Sequence, residues 1–381
     1  MTNTAAESAP APLTSPLFEA TRLGPLKLPN RLVMAPLTRN RAQADGVPSD
    51  LMVTHYAQRA SAGLIIAEGT TPNAVGQTYP DIPAIHNDAH EAGWRRVTEA
   101  VRAQGGRMFL QLQHGGRNGH PDTSGLIPLA PSALALPEDV ATPSGPQPAP
   151  VPREMTIDDI RTTVADFAAA ARRAVAAGFA GVEVHSANGQ LLHQFLGENT
   201  NRRTDAYGGS AKDRIRFVVE VVRAVADAIG PDRVGLRISP TQTVNGMAEG
   251  DTDTIYTSLA GALADSGLAY LHLVHADPDQ PLFHELRRIW PGTLIGNPVL
   301  SREDVATDGG KAKGEELLAA GADLIALGRG FLANPDLVER LKAAAPLNLV
   351  RDKYLMYTGG ETGYNDYPTL AESRARVRVA A

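Results

Sequence analysis

Val182-Glu-Val-His-Ser-Ala-Asn-Gly-Gln-Leu-Leu-His-Gln-Phe195 is a stretch with the pattern of a buried strand that turns into a helix. Two polar side chains, His185 and Asn188, follow the apolar part of this strand. Both can direct a hydrogen-bond donor to the same point in a pocket. Such a pair binds a carbonyl or nitro oxygen while negative charge develops on it, which predicts a catalytic role for the two residues.

The same alternation of strand and helix extends along the 381 residues. Short runs rich in Val, Ile and Leu on both faces have the character of buried parallel strands. These runs lie at residues 31–35, 63–67, 107–112, 180–184, 233–238, 268–274, 293–296 and 322–327. They predict an α/β fold, a single (β/α)8 TIM barrel over residues 14–370. An open doubly wound sheet is the alternative, but no Gly-x-Gly-x-x-Gly motif follows the first strand.

Two helix starts are marked by capping residues. Thr156, with Asp159 three residues later, indicates the start of a helix whose apolar periodicity runs over residues 160–177. Asn334 followed by Pro335 predicts a cap and a first helical residue for a helix that reaches residue 342.

Three segments fall outside the strand–helix units. Residues 1–13 predict a disordered N-terminal tail, and residues 371–381 predict a C-terminal tail. Residues 136–153 are dense in Pro, Gly and Ser and show neither helical nor strand periodicity. Because this segment follows the third strand, we expect a long excursion that covers the mouth of the barrel rather than a domain linker.

Composition excludes several classes of function. The net charge is −6 with dispersed Lys and Arg, which argues against a nucleic-acid or anionic-membrane partner. No apolar run is long enough to span a bilayer, and no secretory signal is visible, so we expect a cytoplasmic protein. The absence of cysteine removes disulfides, thiolate nucleophiles, thiolate-bound zinc and cysteine-ligated iron–sulfur clusters.

Polar groups cluster where the predicted strands end, which is the functional face of such barrels. Gly328 and Arg329 follow the last strand and predict a phosphate site, although these glycine-rich ends could also serve only as tight turns. Arg237 lies inside an apolar strand and needs a partner. That partner is either an anionic ring, such as a reduced flavin, or a structural ion pair with Glu68 or Glu183.

Several motifs occur in an order that resembles the Old Yellow Enzyme family of FMN-dependent ene-reductases. They extend from the first strand to the end of the predicted barrel. The motifs are Ala-Pro-Leu-Thr-Arg-Asn (35–40), Gln-Leu-x-His-x-Gly-Arg (111–117), His-Ser-Ala-Asn-Gly (185–189), Asn-x-Arg-Thr-Asp-x-Tyr-Gly-Gly-Ser (201–210), Gly-Arg (328–329) and Gly-Tyr-x-Asp-Tyr-Pro (363–368).

The resemblance implies non-covalent FMN over the barrel mouth. By motif position, the flavin contacts are Pro36, Leu37, Thr38, Gly69, Gln111 and Arg237, and the phosphate contacts are Asn297, Gly328 and Arg329. The substrate-side residues are Tyr79, Gln113, His185, Asn188, Gln190 and Tyr364. Tyr79 and Tyr364 could alternatively be ordinary loop-packing tyrosines. The 201–210 segment is expected to be structural, with Arg203 and Asp205 paired.

The implied reaction has two halves. NADPH or NADH reduces FMN, and the flavin then passes a hydride to the β-carbon of an alkene activated by a carbonyl or nitro group. The partner is thus a small electrophilic molecule. Reductive denitration of nitrate esters or reduction of nitroaromatics by the same flavin is an alternative, as is a flavin-binding protein with weak catalysis. The chain could act as a monomer or a homodimer.

Two residues depart from the family pattern, both on the substrate side. Gln190 stands where the family usually has a Tyr that protonates the α-carbon, and a carboxamide cannot act as a general acid. Water or another side chain would have to supply the proton. Gln113 replaces a common Trp, which should widen and wet the pocket. Retained FMN with altered substrate scope is the expectation.

Other barrel chemistries fit less well. A Schiff-base lyase needs a lysine at a strand end, and the lysines all fall elsewhere. A metal-dependent hydrolase needs clustered His and carboxylates, and His114 with His185 alone are too few. No metal is therefore expected.

Overall fold

A closed barrel of eight parallel strands forms the centre of the computed structural model, which describes residues 15–380. The predicted tail of residues 1–13 lies outside the described residues. We number the barrel strands β1 to β8 in chain order. Their bounds are β1 Leu32–Met34, β2 Leu64–Thr70, β3 Met108–Leu112, β4 Gly181–Ser186, β5 Val234–Ile238, β6 Tyr270–Ala276, β7 Thr293–Pro298 and β8 Leu324–Leu327. Each predicted strand is thereby found, and the (β/α)8 prediction is confirmed.

One helix that packs outside the barrel follows each barrel strand. The helices are α1 Asp50–Ala57, α2 Asp88–Ala103, α3 Ile157–Ala176, α4 Arg216–Ile229, α5 Thr252–Leu263, α6 Pro281–Ile289, α7 Lys311–Ala319 and α8 Leu337–Lys342. Additional helical segments lie at Pro121–Ser124, Leu191–Leu196, Ala211–Arg214, Arg302–Asp308, Arg329–Ala333, Lys353–Tyr357 and Leu370–Ala380. The last of these contains most of the predicted C-terminal tail.

The capping signals had different outcomes. Thr156 and Asp159 form a reciprocal capping box at the start of α3, as expected. Asn334 does not cap α8, which begins at Leu337 after Asp336. The Asn334 side chain instead donates to the Gly330 carbonyl and accepts from the Asn348 amide, so it links the short helix Arg329–Ala333 to the loop that contains Asn348.

Apolar residues fill the barrel interior below the functional face. The strands contribute residues such as Val33, Ile66, Phe109 and Ile295, all fully buried. An antiparallel hairpin, Thr21–Leu23 with Leu26–Leu28, adds two buried leucines to this cluster. A second and larger apolar cluster lies between the strands and the surrounding helices. The barrel interior is therefore filled by packed side chains below the functional face.

The 136–153 excursion has more order than its composition indicates. It contains an antiparallel hairpin, Asp139–Thr142 with Gly145–Pro148, where the sequence showed no strand periodicity. The hairpin extends over the mouth of the barrel, and its Ala141 lines the cavity there. Among residues 15–380, we find no helix with the length and apolar character that crossing a membrane requires.

Candidate active site

A cavity of about 790 Å³ opens at the carboxyl ends of the barrel strands. This volume is within the range of pockets that hold small ligands, roughly 300–1,000 Å³. Strand register brings the polar side chains together, because His185 on β4 pairs with Arg237 on β5, and Glu183 pairs with Gln111 on β3.

All but two of the predicted site residues line this cavity. Those that do are Pro36, Leu37, Thr38, Tyr79, Gln111, Gln113, His185, Asn188, Gln190, Arg237, Asn297, Gly328 and Arg329. Residues from widely separated segments therefore converge on one space, as the barrel topology requires.

Tyr364 is the first exception, and the expectation that it lines the pocket is wrong. It is fully buried, with its ring stacked on that of His55 at 4.0 Å between centroids. The guanidinium carbons of Arg39 and Arg41 lie 4.8 and 4.9 Å from the centre of the same ring. Tyr364 thus belongs to a packed aromatic–cation cluster beneath the site, and Tyr357 is the aromatic residue of this region that lines the cavity.

Gly69 is the second exception, since it does not line the cavity. A Cβ at this position would lie 2.2 Å from Oε1 of Gln113. The absence of a side chain at Gly69 therefore leaves space for Gln113, and Gln113 itself lines the cavity.

His185 is held as a neutral hydrogen-bond donor. Gln111 places its Nε2 atom 2.8 Å from Oε1 of Glu183 and 3.3 Å from Nδ1 of His185. Because the amide donates to Nδ1, the imidazole carries its proton on Nε2, which is left for a ligand. Burial lowers the pKa of His185 well below its usual value, and the nearby Arg237 acts in the same direction.

Asn188 owes its position to the loop that follows β5. Its backbone is in the left-handed region, with φ of 53°, which asparagine tolerates better than most residues. The Ser239 hydroxyl accepts from the Asn188 amide at 2.8 Å, and Asn245 Nδ2 donates to the Asn188 carbonyl at 2.8 Å. Both backbone groups are thereby satisfied, and the side-chain amide remains for the cavity.

The other side of the cavity contains two arginines, Arg237 and Arg329, and their positive charge is not balanced by a carboxylate among the described lining residues. Arg237 donates to Oδ1 of Asn297 at 3.0 Å, and its buried Nε has no partner within the described residues. Arg329 is exposed at the cavity rim. No Asp or Glu occurs among the described residues that line the cavity. An anionic ligand is the group that such a lining favours.

The carboxylates proposed as alternative partners of Arg237 are occupied elsewhere. Glu183 accepts from His272 Nδ1 at 2.7 Å as well as from Gln111. Burial alone would raise the pKa of Glu183, but His272, Arg237 and these hydrogen bonds hold it below the usual value. Glu68 accepts from the Arg39 backbone amide and from Tyr56. Neither carboxylate forms an ion pair with Arg237 in the part of the chain that the structure describes.

The two glutamines that depart from the family pattern are joined through Thr78. Gln113 Nε2 donates to Thr78 Oγ1 at 3.2 Å, and that hydroxyl lies 3.5 Å from Gln190 Oε1. The Gln190 side chain also lies close enough to the phenol of Tyr79 to lower its pKa. Neither glutamine is therefore an isolated replacement.

Sequence reasoning missed several lining residues, namely Gln242, Val244, Asn245, His275 and Tyr357. The first three follow β5, His275 lies near the end of β6, and Tyr357 ends a short helix after β8, and no motif marks them. The expected Arg203–Asp205 pair is present, with Nε to Oδ1 at 3.0 Å. Across residues 15–380, no group of three or more His, Asp or Glu side chains could hold a metal ion.

The residues present fit FMN. An anionic phosphate matches Arg329, and an electron-rich ring edge matches the unpaired Nε of Arg237. Thr38 and Gln111 add neutral groups that can hydrogen-bond to a ring.

Comparison with known proteins supports this assignment. Residues 16–348 match the family model described as the NADH:flavin oxidoreductase / NADH oxidase family. A probable flavin mononucleotide-dependent alkene reductase of Leishmania infantum is 41% identical over 358 residues, 91% of this chain and 96% of the relative. Morphinone reductase in complex with tetrahydroNAD is 44% identical with a TM-score of 0.86, over 93% of this chain and 97% of that one. An Old Yellow Enzyme homologue from Zymomonas mobilis is 37% identical with a TM-score of 0.88, over 93% and 99% of the two chains.

Proposed function

The chain belongs to the NADH:flavin oxidoreductase / NADH oxidase family, and from this premise we propose that it is an NAD(P)H-dependent ene-reductase with FMN as its cofactor. Its substrates are small alkenes conjugated to a carbonyl or nitro group. The observation that carries this proposal is the pairing, in one cavity, of two neutral donors at His185 and Asn188 with the cationic groups of Arg237 and Arg329.

FMN is assigned to the cationic side of the cavity. Arg329, Asn297 and Gly328 would hold the phosphate, and Arg237 would face the ring edge that carries negative charge in the reduced state. Bound FMN supplies the hydride-transfer chemistry, and the protein supplies position and electrostatics. The neutral hydroxyl of Thr38 can donate to the ring and favour its electron-rich state.

His185 and Asn188 are assigned to the substrate oxygen. A hydride added to the β-carbon moves negative charge onto the conjugated oxygen, and two N–H donors stabilise that charge. Since the His185 ring is neutral and buried, its Nε2–H donates without bringing a mobile proton into the site. Removal of one such donor commonly costs about 10²–10³ in rate. The same donors suit the carboxamide oxygen of a nicotinamide, and a related chain binds tetrahydroNAD.

The proposal is tested by following the flavin. Purified protein, reconstituted with FMN under anaerobic conditions, should lose its flavin absorbance when NADPH or NADH is added. Absorbance should return when 2-cyclohexen-1-one or a nitroalkene is added, with the saturated product formed. Return of absorbance with a nitrate ester alone would replace this proposal with reductive denitration, and failure to take up FMN would overturn it.

A further inference from the structure

We infer that the phenol of Tyr79 is the proton donor that completes alkene reduction, held in place by a hydrogen-bond chain through Gln113, Thr78 and Gln190. The inference rests on the proposed ene-reduction and names the group that delivers its proton. It gives a common role to the two glutamines that depart from the family pattern, because both belong to this chain.

The cavity offers few candidates for this step. No carboxyl group lines it, and its two guanidinium groups do not release protons near neutral pH. His185 is committed to the substrate oxygen. His275 is exposed and lies near Arg237 and Arg329, on the side assigned to FMN. Two phenols remain, Tyr79 and Tyr357.

Tyr79 is the phenol that contacts Gln190, which occupies the usual position of the proton donor. The carbonyl end of the Gln190 amide faces Thr78 Oγ1 at 3.5 Å. The amide nitrogen is thereby turned toward the Tyr79 phenol. On the other side of Thr78, Gln113 Nε2 donates to the hydroxyl at 3.2 Å, which leaves the hydroxyl proton for Gln190. This series of hydrogen bonds therefore orients one polar group after another, from Gln113 to Tyr79.

Asn245 provides a second amide at the phenol. Its Nδ2 atom also donates to the Asn188 carbonyl at 2.8 Å, so this asparagine links the phenol to the oxygen-binding residue. The loop that carries Asn245 is fixed in turn by Arg117, which donates to the Asn245 carbonyl at 3.0 Å. Tyr79 is accordingly positioned relative to Asn188, as a proton donor to the carbon beside the activating group must be.

Proton transfer from Tyr79 completes the reduction at the α-carbon. After hydride addition at the β-carbon, the substrate is an enolate or nitronate whose α-carbon carries the electron pair. That pair forms a C–H bond with the Tyr79 proton while the phenol O–H bond breaks. N–H groups of Gln190 and Asn245 stabilise the phenolate that results, as charge-assisted hydrogen bonds. Tyr79 is half-buried at the cavity wall, so solvent can return the proton.

The protonation state of Tyr79 suits a donor. Burial raises the pKa of its phenol, and the neighbouring Tyr357 adds to this, whereas the Gln190 and Asn245 amides lower it in part. The phenol is thus protonated at neutral pH. The other titratable groups that line the cavity are His185, His275, Arg237 and Arg329. None of these four contributes to the shift in the pKa of Tyr79.

The test is anaerobic stopped-flow of NADPH-reduced, FMN-loaded enzyme mixed with 2-cyclohexen-1-one. Tyr79→Phe should slow formation of the saturated ketone at least tenfold, since a general acid typically contributes about 10²–10⁴ in rate. With a nitroalkene, the variant should release the nitronate, which is protonated in solution, at close to the wild-type rate of flavin reoxidation. The double variant Tyr79→Phe with Gln190→Tyr should recover the enone rate, because a phenol returns at the neighbouring position.

Tyr357→Phe is the matched control, because it removes the other phenol that lines the cavity. It should keep the solvent isotope effect of the wild-type enone reaction, whereas Tyr79→Phe should lose it. Unchanged ketone formation and an unchanged isotope effect in Tyr79→Phe would overturn the inference. So would slow reaction in Tyr79→Phe that Gln190→Tyr does not relieve. Wild-type enzyme that reduces no alkene would instead overturn the proposed function.

Discussion

The two sides of the cavity are built on different physical principles. The side that we assign to FMN is formed by Arg237, Asn297, Gly328 and Arg329. It contains two cationic groups, and the buried Nε of Arg237 has no hydrogen-bond partner within the described residues. On the substrate side, formed by Tyr79, Gln113, Asn188 and Gln190, neutral side chains bind one another through hydrogen bonds. The first side depends on its ligand, and the second side is organised without one. Both glutamines that depart from the family motifs, Gln113 and Gln190, lie on the second side.

The largest expected effect is the loss of FMN affinity when Arg237 is replaced. Replacement by Leu should weaken FMN binding by about 10²–10³, since removing one partner of a buried charged contact costs roughly 2–5 kcal/mol. Fluorescence titration of apoprotein with FMN measures this loss. Arg329→Leu, at the exposed rim, should weaken binding less and lose its effect at high salt. Equal affinity in Arg237→Leu and wild type would show that the arginine does not face the flavin.

Asn188→Ala probes the substrate side. It removes one of the two oxygen donors and should lower the rate of flavin reoxidation by an enone about 10²-fold. FMN affinity should change by less than about threefold, because the residue belongs to the other side. Asn245→Ala is the companion variant, since it removes the bond that fixes the Asn188 carbonyl. A large loss of FMN in Asn188→Ala would contradict the division of the cavity.

His114, which follows Gln113 and is buried behind the substrate side, should make stability depend on pH. Burial lowers the pKa of His114 to about 3, whereas the unfolded residue titrates near 6.5. Between these values the unfolded chain binds a proton that the folded chain does not, so stability falls as the pH is lowered. From pH 7.5 to 5, His114 should contribute a loss of roughly 2 kcal/mol.

Urea unfolding at the two pH values, in wild type and His114→Gln, measures this contribution. The exposed His284→Gln is the control and should keep the wild-type pH dependence. An identical pH slope in His114→Gln and wild type would argue against a neutral buried imidazole at position 114.

The smallest effect is expected for Gly69→Ala. Its new Cβ would overlap Gln113 Oε1, so the glutamine must move and release Thr78. Because the new methyl group meets the far end of a flexible side chain, we expect a cost of about 1 kcal/mol, the lower end for overpacking. The double variant with Gln113→Ala should recover most of that stability, as thermal unfolding would show. Without recovery, the strain would lie in the Gly69 backbone rather than in its contact with Gln113.

The sequence predicted the fold and most of the site because both depend on local pattern. Strands such as 180–184 are continuous apolar runs, and barrel topology alone brings their carboxyl ends together. Predictions became unreliable where position depends on packing at a distance. Tyr364 matched a motif yet is buried under the site, stacked on His55, which is far away in the chain. Asn245 lies in a loop and Tyr357 at the end of a short helix, and no periodicity in the sequence indicates where either one lies.

The link between the two glutamines was also beyond sequence reasoning. Gln113 and Gln190 lie on separate strand ends, and the residue that joins them, Thr78, belongs to a third loop. Gln190 alone indicates a lost general acid, and Gln113 alone indicates a wider and wetter pocket. Only the hydrogen bonds show that they form one chain that leads to Tyr79.

The most direct test of the central claim is reoxidation of the reduced, FMN-loaded enzyme by 2-cyclohexen-1-one, compared between wild type and His185→Ala. Wild-type flavin absorbance should return with formation of the saturated ketone. His185→Ala should retain FMN but react about 10²–10³ more slowly. Wild-type flavin that stays reduced in the presence of the enone, or a His185→Ala variant that reacts at the wild-type rate, would contradict the account.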